Sequence, residues 1–376
     1  MIKQRISDIS DVILKKSNNE ELPYIEIGDI DIETKQYINK DKPAVEGALK
    51  AKKDHVLISK VRPTRGAVTI IAKDCLVSNA FVVLQARKLI IPRYLFYSIA
   101  YNKRFFLRLG KLERGTSYPS CRAKDILTYK ISVPTISEQK EIVKILDAAN
   151  NLRQKRKEQL ALLDDYLKSV FLEMFGDPII NRKNWIKIFL KEITNLITDG
   201  KHGDCGDDEN SGYYFISAKD IHDGIIDYSQ ARQILKKDFE EVHRRTNLAI
   251  GDLVMVNTGA TIGKTAIVNN DKKTCSTTFQ KSVAIIKPKI NKLTSIYLKY
   301  VFILRINAFA GMSSGSAQKN LLLSQMRDFK IPLPSIKLQN KFASIVKQVK
   351  KTKQKMHNSL DEMDNHFNAL MQRYFE

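Results

Sequence analysis

The sequence lacks the features of exported and membrane proteins. No apolar stretch approaches the roughly 18–20 residues that a membrane span requires, and the first ten residues lack the apolar core of a signal peptide. Cysteine is scarce, and the four cysteines of this 376-residue chain form no C-x-x-C motif. They are Cys75, Cys121, Cys205 and Cys275. We therefore expect a folded, cytoplasmic protein with free thiols and no membrane partner, long enough for two domains.

Catalytic and cofactor motifs are also missing. The sequence has no Asn-Pro-Pro-Tyr-type motif for amino-methyl transfer, no nuclease core of paired carboxylates with a lysine, and no nucleophilic triad signature. Three residues separate Gly259 from Gly263, whereas a phosphate-binding P-loop needs four, so residues 258–265 predict a turn between strands. His202 and Cys205 lack a second pair of metal ligands, which favours a solvated loop. We predict no catalytic residue, no metal and no cofactor.

Positive charge is in large excess, with a net charge of +22. Residues 138–176 contain seven basic and seven acidic side chains, and residues 338–376 contain seven basic and four acidic ones. Most of the excess therefore lies in the remainder of the chain. A basic surface favours a polyanionic partner, most simply nucleic acid. A lysine-rich proteome would produce the same excess without any such partner.

Two long helices are predicted by apolar residues that recur in alternating steps of four and three. This a/d pattern is typical of a helix that packs on other helices. It runs along residues 138–176 and returns 200 residues later, along 338–376. The residues expected to pack between helices are Ile142, Leu146, Leu160, Leu163, Leu167, Phe342, Val346, Val349, Leu360 and Phe367. Arg153, Arg156 and Lys353 interrupt the pattern, either to fix the register of the helices or to extend into water where they separate.

The same spacing reveals an internal repeat. Gly115, Lys130, Ile131, Pro134, Ile136 and Gln139 recur at Gly315, Lys330, Ile331, Pro334, Ile336 and Gln339. Short β-branched runs predict strands at 24–30, 55–61, 67–72 and 80–85, and again at 213–218, 252–257, 265–268 and 282–287. Helices are predicted at 92–109, 123–127 and 294–309. This pattern indicates two divergent copies of one α/β (α+β) domain.

The repeat predicts five segments. They are a first globular domain at 1–137, a long helix at 138–176, a linker at 177–184, a second globular domain at 185–337 and a second long helix at 338–376. Ser137 is the expected N-cap of the first long helix. Gly and Pro residues near 176–178 supply its stop signals.

Polar loops occupy the same two places in both copies and are the expected DNA-binding sites. Their side chains are of the types that contact phosphates and base edges. In the first copy the candidates are Lys60, Arg62, Arg65, Arg114, Thr116, Ser117, Tyr118, Arg122 and Lys124. In the second copy they are Lys201, His202, Asn257, Thr258, Lys264, Ser316, Gln318, Lys319 and Asn320. The two copies carry different chemistry at equivalent places, which predicts two different half-sites. For any single residue, a solvated loop is an equally good interpretation.

The chain resembles the specificity (S) subunits of type I restriction-modification systems (HsdS family). The resemblance covers essentially the whole chain. It is carried by Gly115–Ser120, by the segment 130–143, by the helix end 171–178, and by their partners 200 residues later. The second copy is more divergent, because Ala317–Asn320 stands in place of Ser117–Ser120.

The resemblance implies two α/β target-recognition domains and two long helices that pack as an antiparallel coiled coil. Helices of this length span roughly 55 Å and would act as a spacer on double-stranded DNA. It also implies two modification subunits, which use S-adenosylmethionine to methylate adenine N6, and restriction subunits that cut DNA. The chain itself would be a non-catalytic subunit that selects a bipartite target. The alternatives are a stand-alone DNA-binding adaptor that recruits another effector, or a nuclease with scattered carboxylates.

Overall fold

The chain folds into two compact units in the computed structural model, which describes residues 2–17, 22–38, 42–43, 45–222, 224–305 and 320–375. Unit 1 consists of Met1–Leu160 and Lys355–Glu376, and unit 2 consists of Ala161–Gln354. Each unit therefore contains one globular domain and a segment of each long helix. No helix in these ranges combines the length and apolar character of a membrane span.

Unit 1 combines small sheets with helices. Its strands are β1 (Ile2–Arg5), β2 (Ser10–Val12), β3 (Tyr24–Ile25), β4 (Leu49–Ala51), β5 (Val56–Ser59), β6 (Val68–Ile70), β7 (Cys75–Val77), β8 (Phe81–Ala86) and β9 (Lys130–Val133). Its helices are α1 (Ile6–Ile9), α2 (Pro92–Ala100), α3 (Lys103–Leu112), α4 (Ala123–Leu127) and the start of α5 (Ile136–Phe175). One sheet has the order β2-β8-β5-β6, a second has the order β3-β7-β4, and β1 pairs with β9.

Unit 2 repeats this plan with additions. Its strands are β10 (Lys187–Phe189), β11 (Thr194–Asp199), β12 (Tyr214–Ile216), β13 (Ile221–His222), β14 (Ile225–Ile226), β15 (Arg232–Gln233), β16 (Leu253–Val256), β17 (Thr265–Ile267), β18 (Thr277–Phe279), β19 (Val283–Pro288) and β20 (Lys330–Pro332). Its helices are α6 (Leu190–Ile193), α7 (Lys236–Thr246), α8 (Ser295–Leu304), α9 (Leu323–Arg327) and the start of α10 (Ile336–Phe375).

The sheets confirm that the two domains are copies of one mixed helix-and-sheet fold. The order β11-β19-β16-β17 in unit 2 matches β2-β8-β5-β6 in unit 1, and the pair β10-β20 matches β1-β9. In both copies the second sheet contains one parallel strand pair, β3 with β7 in unit 1 and β12 with β18 in unit 2. Divergent sequences that keep one strand order are expected of an internal repeat.

The central strand of each large sheet supplies two cores, which explains its continuous apolar sequence. In β5, Val56 and Ile58 join the core beneath α2, whereas Leu57 joins the core on the other face. In β16, Met255 and Val254 separate in the same way. Successive strand residues point to opposite faces of the sheet. A strand that is buried on both faces therefore needs apolar side chains at consecutive positions.

A buried glutamine anchors the start of each long helix. Gln139 is fully buried; its Oε1 accepts from the Ile91 amide at 2.8 Å, and its Nε2 donates to the Pro134 carbonyl at 2.9 Å. Gln339 repeats this arrangement in unit 2 with the Thr294 amide at 2.9 Å and the Pro334 carbonyl at 3.0 Å. The repeated glutamine thus ties each helix to the loop before α2 or α8.

The first long helix begins two residues earlier than expected. The helix starts at Ile136, so Ser137 lies inside it and its predicted capping role is wrong. Thr135 caps the helix instead: its Oγ1 accepts from the Glu138 amide at 3.3 Å, and Glu138 Oε2 accepts from the Thr135 amide at 2.8 Å. This reciprocal pair satisfies two helix-end donors.

The two long helices run antiparallel. In unit 2, Lys353 Nζ lies 2.8 Å from Asp164, and Phe342 packs against Phe175 with ring centroids 5.5 Å apart. The contacting residues therefore have rising residue numbers along α5 and falling residue numbers along α10. In unit 1, Arg153 lies 2.5 Å from Asp364 and 4.3 Å from the Phe367 ring centroid.

Two of the three interrupting charges, Arg153 and Lys353, are therefore paired between helices, which favours the register interpretation over extension into water for these two. The side chain of Arg153 is only 13% exposed. Among the residues expected to pack, Ile142, Leu146, Leu160, Leu167, Phe342, Val349 and Phe367 are buried. The remaining three, Leu163, Val346 and Leu360, are half-buried.

Residues 177–184, expected to be a linker, form a hydrogen-bonded turn. Asp177 Oδ1 accepts from the amides of Ile179 at 2.6 Å and Ile180 at 3.1 Å. Trp185 Nε1 then donates to the last helical carbonyl, Phe175, at 2.8 Å. The chain after α5 therefore provides a hydrogen-bond donor for a carbonyl group at the C-terminal end of this helix.

Unit 1 contains a buried lysine. Lys35 is 8% exposed, its Nζ donates to the Gly66 carbonyl at 2.7 Å, and it lies 5.6 Å from the Tyr101 ring centroid. Burial lowers the pKa of Lys35 to about 8, and the charge of Asp31 offsets only part of this effect. The lysine supports the turn that ends at Gly66.

Replacing either anchoring glutamine is expected to destabilise its own unit. Gln139→Ala and Gln339→Ala each remove three hydrogen bonds between a buried amide side chain and main-chain groups, which costs about 2–4 kcal/mol. Thermal unfolding of each variant measures the loss. Gln159→Ala changes an exposed residue of the same helix and should leave the midpoint unchanged. Equal midpoints for all three variants would contradict the anchoring role.

Lys35 is expected to make stability depend on alkaline pH. The pKa of Lys35 is lowered from 10.5 to about 8, so between these values the unfolded chain holds a proton that the folded chain has released. The wild type should therefore gain stability relative to Lys35→Met as pH rises from 8 to 10. Unfolding midpoints at pH 7, 8.5 and 10 measure this difference. The exposed Lys53→Met is the control, and parallel pH profiles for wild type and Lys35→Met would refute the effect.

Candidate nucleic-acid interface

In unit 1 the candidate surface begins where β5 ends. The chain turns through residues 60–66, with a short 3-10 helix at Pro63–Arg65. Arg62 and Gly66 flank that helix with φ values of 43° and 72°, and both angles are left-handed. Proline at the start and glycine at the end are the residues that such a turn favours. The turn gathers Lys60, Arg62 and Arg65 within seven residues, and Arg65 is exposed.

The second polar loop of unit 1 is joined to this turn through the main chain. The Arg62 amide donates to the Pro119 carbonyl at 2.7 Å, and the Cys121 amide donates to the Lys60 carbonyl at 2.8 Å. Arg114 and Ser120 exchange amide–carbonyl bonds of 2.9 and 3.0 Å, which close the loop on itself. Two stretches that lie 50 residues apart in sequence therefore form one continuous surface.

The side chains of this surface differ in how freely they face solvent. Tyr118 is 66% exposed, and the Arg62 guanidinium lies 5.5 Å from its ring centroid. Arg114 is 2.9 Å from Asp125, and the side-chain hydrogen bond lowers the pKa of that carboxyl group. The remaining candidates, Thr116, Ser117, Arg122 and Lys124, are exposed.

Unit 2 connects its loops by the same bonds. The Leu321 amide donates to the Asn257 carbonyl at 2.8 Å, as the Cys121 amide does to Lys60 in unit 1. Thr258 pairs with Asn320 as an isolated bridge, and its Oγ1 donates to Asn320 Oδ1 at 3.1 Å. Residues 258–264 form the predicted turn between two strands, because β16 and β17 are antiparallel neighbours. Lys264 at the end of this turn is exposed.

Two candidates of unit 2 support the loops and do not face solvent. Asn257 is 3% exposed. Lys201 has a side chain only 14% exposed, held 3.2 Å from Asp238 and 2.7 Å from Glu241. Both carboxylates belong to α7, so these ion pairs hold the loop of Lys201 against this helix. The structure thus packs both side chains against the protein, and their role in DNA binding stays a prediction.

His202 and the acidic residues near it form a network of polar contacts. His202 is exposed, with Nε2 3.2 Å from Asp199 Oδ2. Arg232 pairs with Asp204 and with Asp207, and its hydrogen bond to Asp204 lowers the pKa of that carboxyl group. A single guanidinium group therefore holds two carboxylates of this loop. Across the described ranges, no three His, Cys, Asp or Glu side chains are placed to hold a metal ion.

The remaining candidates Ser316, Gln318 and Lys319 lie outside the described residues.

A third loop, which the sequence analysis did not identify, also contacts each surface. In unit 1 the Lys60 amide donates to the Ala80 carbonyl at 2.8 Å, and in unit 2 the Asn257 amide donates to the Ser282 carbonyl at 3.0 Å. The sequence signal for this loop was its position between two short strands. Only the hydrogen bonds of the structure show which segments the loop contacts.

Solved structures share this fold over nearly the whole chain. A structure described under complex assembly and conformational transition of the type I R-M system matches with a TM-score of 0.62 and 19% identity, covering 99% of this chain and 97% of that one. The type I restriction-modification S subunit from M. genitalium matches with a TM-score of 0.58 and 14% identity, covering 100% and 96%. At these identities the likeness concerns the fold.

The sequence relatives are also specificity subunits of type I restriction enzymes. The type I restriction enzyme MjaVIII specificity subunit of Methanocaldococcus jannaschii is 24% identical over 300 residues, covering 76% of this chain and 69% of its own length. The EcoBI specificity subunit of Escherichia coli is 24% identical over 314 residues, covering 73% of this chain and 65% of its own length. This chain thus spans about two thirds of each relative. The model of the type I restriction modification DNA specificity domain matches residues 3–162 and 182–363, so the chain belongs to that family.

Proposed function

We propose that the chain is the DNA-recognition subunit of a type I restriction-modification complex. In this role it reads a bipartite, asymmetric target through its two domains. The observation that carries the proposal is the repeated loop arrangement: equivalent main-chain bonds hold Lys60 in one copy and Asn257 in the other. Identical scaffolds with different exposed side chains are what two different half-sites require.

The side chains suit different contacts in the two copies. Unit 1 presents Arg62, Arg65 and Arg122, a residue type that binds guanine edges and phosphates with paired hydrogen bonds. Unit 2 presents Thr258, Asn320 and His202, which suit hydroxyl and amide contacts with bases. The Lys264 ammonium adds a phosphate contact at the turn of the second copy. The asymmetry of the target follows from this difference.

The chemistry of the complex is assigned to its partners. Both sequence relatives are specificity subunits of type I restriction enzymes. We assign methylation of adenine N6, with S-adenosylmethionine, to two copies of a modification subunit, and DNA cleavage to restriction subunits. The twofold repeat of this chain supports two equivalent docking positions. The chain acts in the cytoplasm as a non-catalytic subunit, with no cofactor of its own.

The first test is a genome-wide map of methylated adenine in cells that express this chain beside a cognate modification subunit. A split motif with a fixed gap should appear only when both proteins are present. Purified chain with S-adenosylmethionine but no partner should transfer no methyl group. Methylation by the chain alone would contradict the non-catalytic assignment, and an unchanged map would favour the adaptor alternative.

Shortening both helices should change the gap of this motif. The pair Arg153–Asp364 sets a register in which residues 154–160 lie opposite residues 357–363. Deleting both heptads preserves the a/d pattern and removes about 10 Å of helix, equivalent to about three base pairs. The methylation map should show a shorter gap between unchanged half-sites.

The matched control for this experiment replaces residues 154–160 with another heptad of the same a/d pattern, which should leave the gap unchanged. The spacer role is wrong if the double deletion alters the bases of either half-site while keeping the gap.

A further inference from the structure

The third loop of unit 2, residues 280–282, is held in place entirely by its main chain. The Gln280 amide donates to the Ile216 carbonyl at 2.8 Å, and the Lys281 amide donates to the Lys201 carbonyl at 2.9 Å. The Ser282 carbonyl accepts from Asn257, as described above. The loop is therefore fastened to three separate segments without using either of its long side chains.

Close approach of a neighbouring segment makes this arrangement tight. The Lys201 amide donates to the Phe279 carbonyl at 2.7 Å. A Cβ atom at the preceding Gly200 would lie only 1.8 Å from the same carbonyl oxygen, so only glycine fits there. The positions of Gln280 and Lys281 are therefore set by rigid backbone contacts.

The two long side chains of the loop remain open to a ligand. Both Gln280 and Lys281 are exposed, and they line an open cleft with Thr258 and Asp204. Gln280 Oε1 accepts from Ser282 Oγ at 3.2 Å, which orients its amide group. Within the described part of the chain, Lys281 makes no ion pair or side-chain hydrogen bond.

The charges around the cleft leave Lys281 uncompensated. The carboxylates near the cleft are paired with other cations: Asp238 and Glu241 contact Lys201, and Asp204 shares Arg232 with Asp207. An exposed ammonium group that has no carboxylate partner among the described residues, beside Thr258 and Gln280, suits an anion such as a backbone phosphate.

The equivalent loop of unit 1 has a different composition. It consists of residues 78–80, and the Ser78 amide donates to the Ile25 carbonyl at 3.0 Å, matching the bond of Gln280. It contains no cation, and Asn79 Nδ2 is engaged by the Gly47 carbonyl at 2.8 Å. In unit 1 the cations lie on the turn 60–66 instead. The second copy therefore carries Lys264 on the equivalent turn and a further cation, Lys281, on the third loop.

We propose that residues 280–282 form a specificity loop of the second recognition domain. In this loop Gln280 contacts a base edge and Lys281 contacts a backbone phosphate of the same half-site. A glutamine amide can accept from and donate to adenine N6 and N7 at once, so adenine is the base class that it recognises. This assignment rests on the proposed function of the chain and adds contacts that the sequence did not indicate.

Lys281→Ala tests the phosphate contact in the complex with modification subunits. Affinity for target and non-target duplexes should fall about fivefold at 150 mM salt, and the salt slope of log K should fall by about 0.9. Fluorescence anisotropy over a salt series measures both. Lys292→Ala, at the opposite end of β19, is the matched control and should change neither. Unchanged affinity and slope for Lys281→Ala would overturn the phosphate contact.

Gln280→Ala tests the base contact by the methylation map. One position of one half-site should lose its preference for adenine, with discrimination reduced at least fivefold, while the other half-site stays unchanged. Asn79→Ala, at the equivalent place of unit 1, should leave the half-site altered by Gln280→Ala intact. Thermal unfolding of the complex checks that each variant is folded.

The outcomes separate this assignment from the proposed function. If the wild type directs a split motif and Gln280→Ala keeps every base preference, the base contact is overturned and the proposed function stands. If the wild type directs no split motif at all, the proposed function fails and this assignment fails with it.

Discussion

The packing of α5 against α10 is the constraint on which both units depend. Each helix has 40 residues, and each unit takes one segment from either helix. Phe367 completes the core of unit 1, and Phe342 completes that of unit 2. Unit 1 therefore completes its core with residues from the far end of the sequence, whereas unit 2 is one continuous segment that includes parts of both helices. The paired charges of Arg153 and Lys353 add a register requirement to this packing, since a shifted helix would leave them without carboxylates.

Main-chain hydrogen bonds separate the scaffold of the loops from their side-chain chemistry. The bonds at Lys60 and Asn257 use only amides and carbonyls, which every residue except proline can provide. Side chains at such positions are free to change without loss of the loop. One fold can therefore hold an arginine-rich surface in the first copy and a hydroxyl- and amide-rich surface in the second. The glycine at position 200 is an exception, because a side chain there would collide with the adjacent backbone.

Much of the fold was predictable because its signals are local. Alternating and continuous apolar runs identified β5, β6 and β8 of one large sheet and β16, β17 and β19 of the other, but not β2 or β11. The heptad pattern identified both long helices. The helix α7 and the break between α2 and α3 were missed. Among the described residues of the first copy, no helix corresponds to α7. Asn102 ends the predicted single helix by capping the next one at the Phe105 amide. Such interruptions depend on one side chain and leave little trace in hydrophobic periodicity.

The sequence alone determined the repeat, the helix seams and the loops that carry polar residues, because periodicity and spacing are properties of neighbouring residues. The tertiary structure decided which of those polar residues face solvent. Lys201 and Lys281 are both lysines in polar loops, yet only Lys201 meets the carboxylates of α7. That difference arises from residues about 40 positions away in sequence, which only folding brings within ion-pair distance.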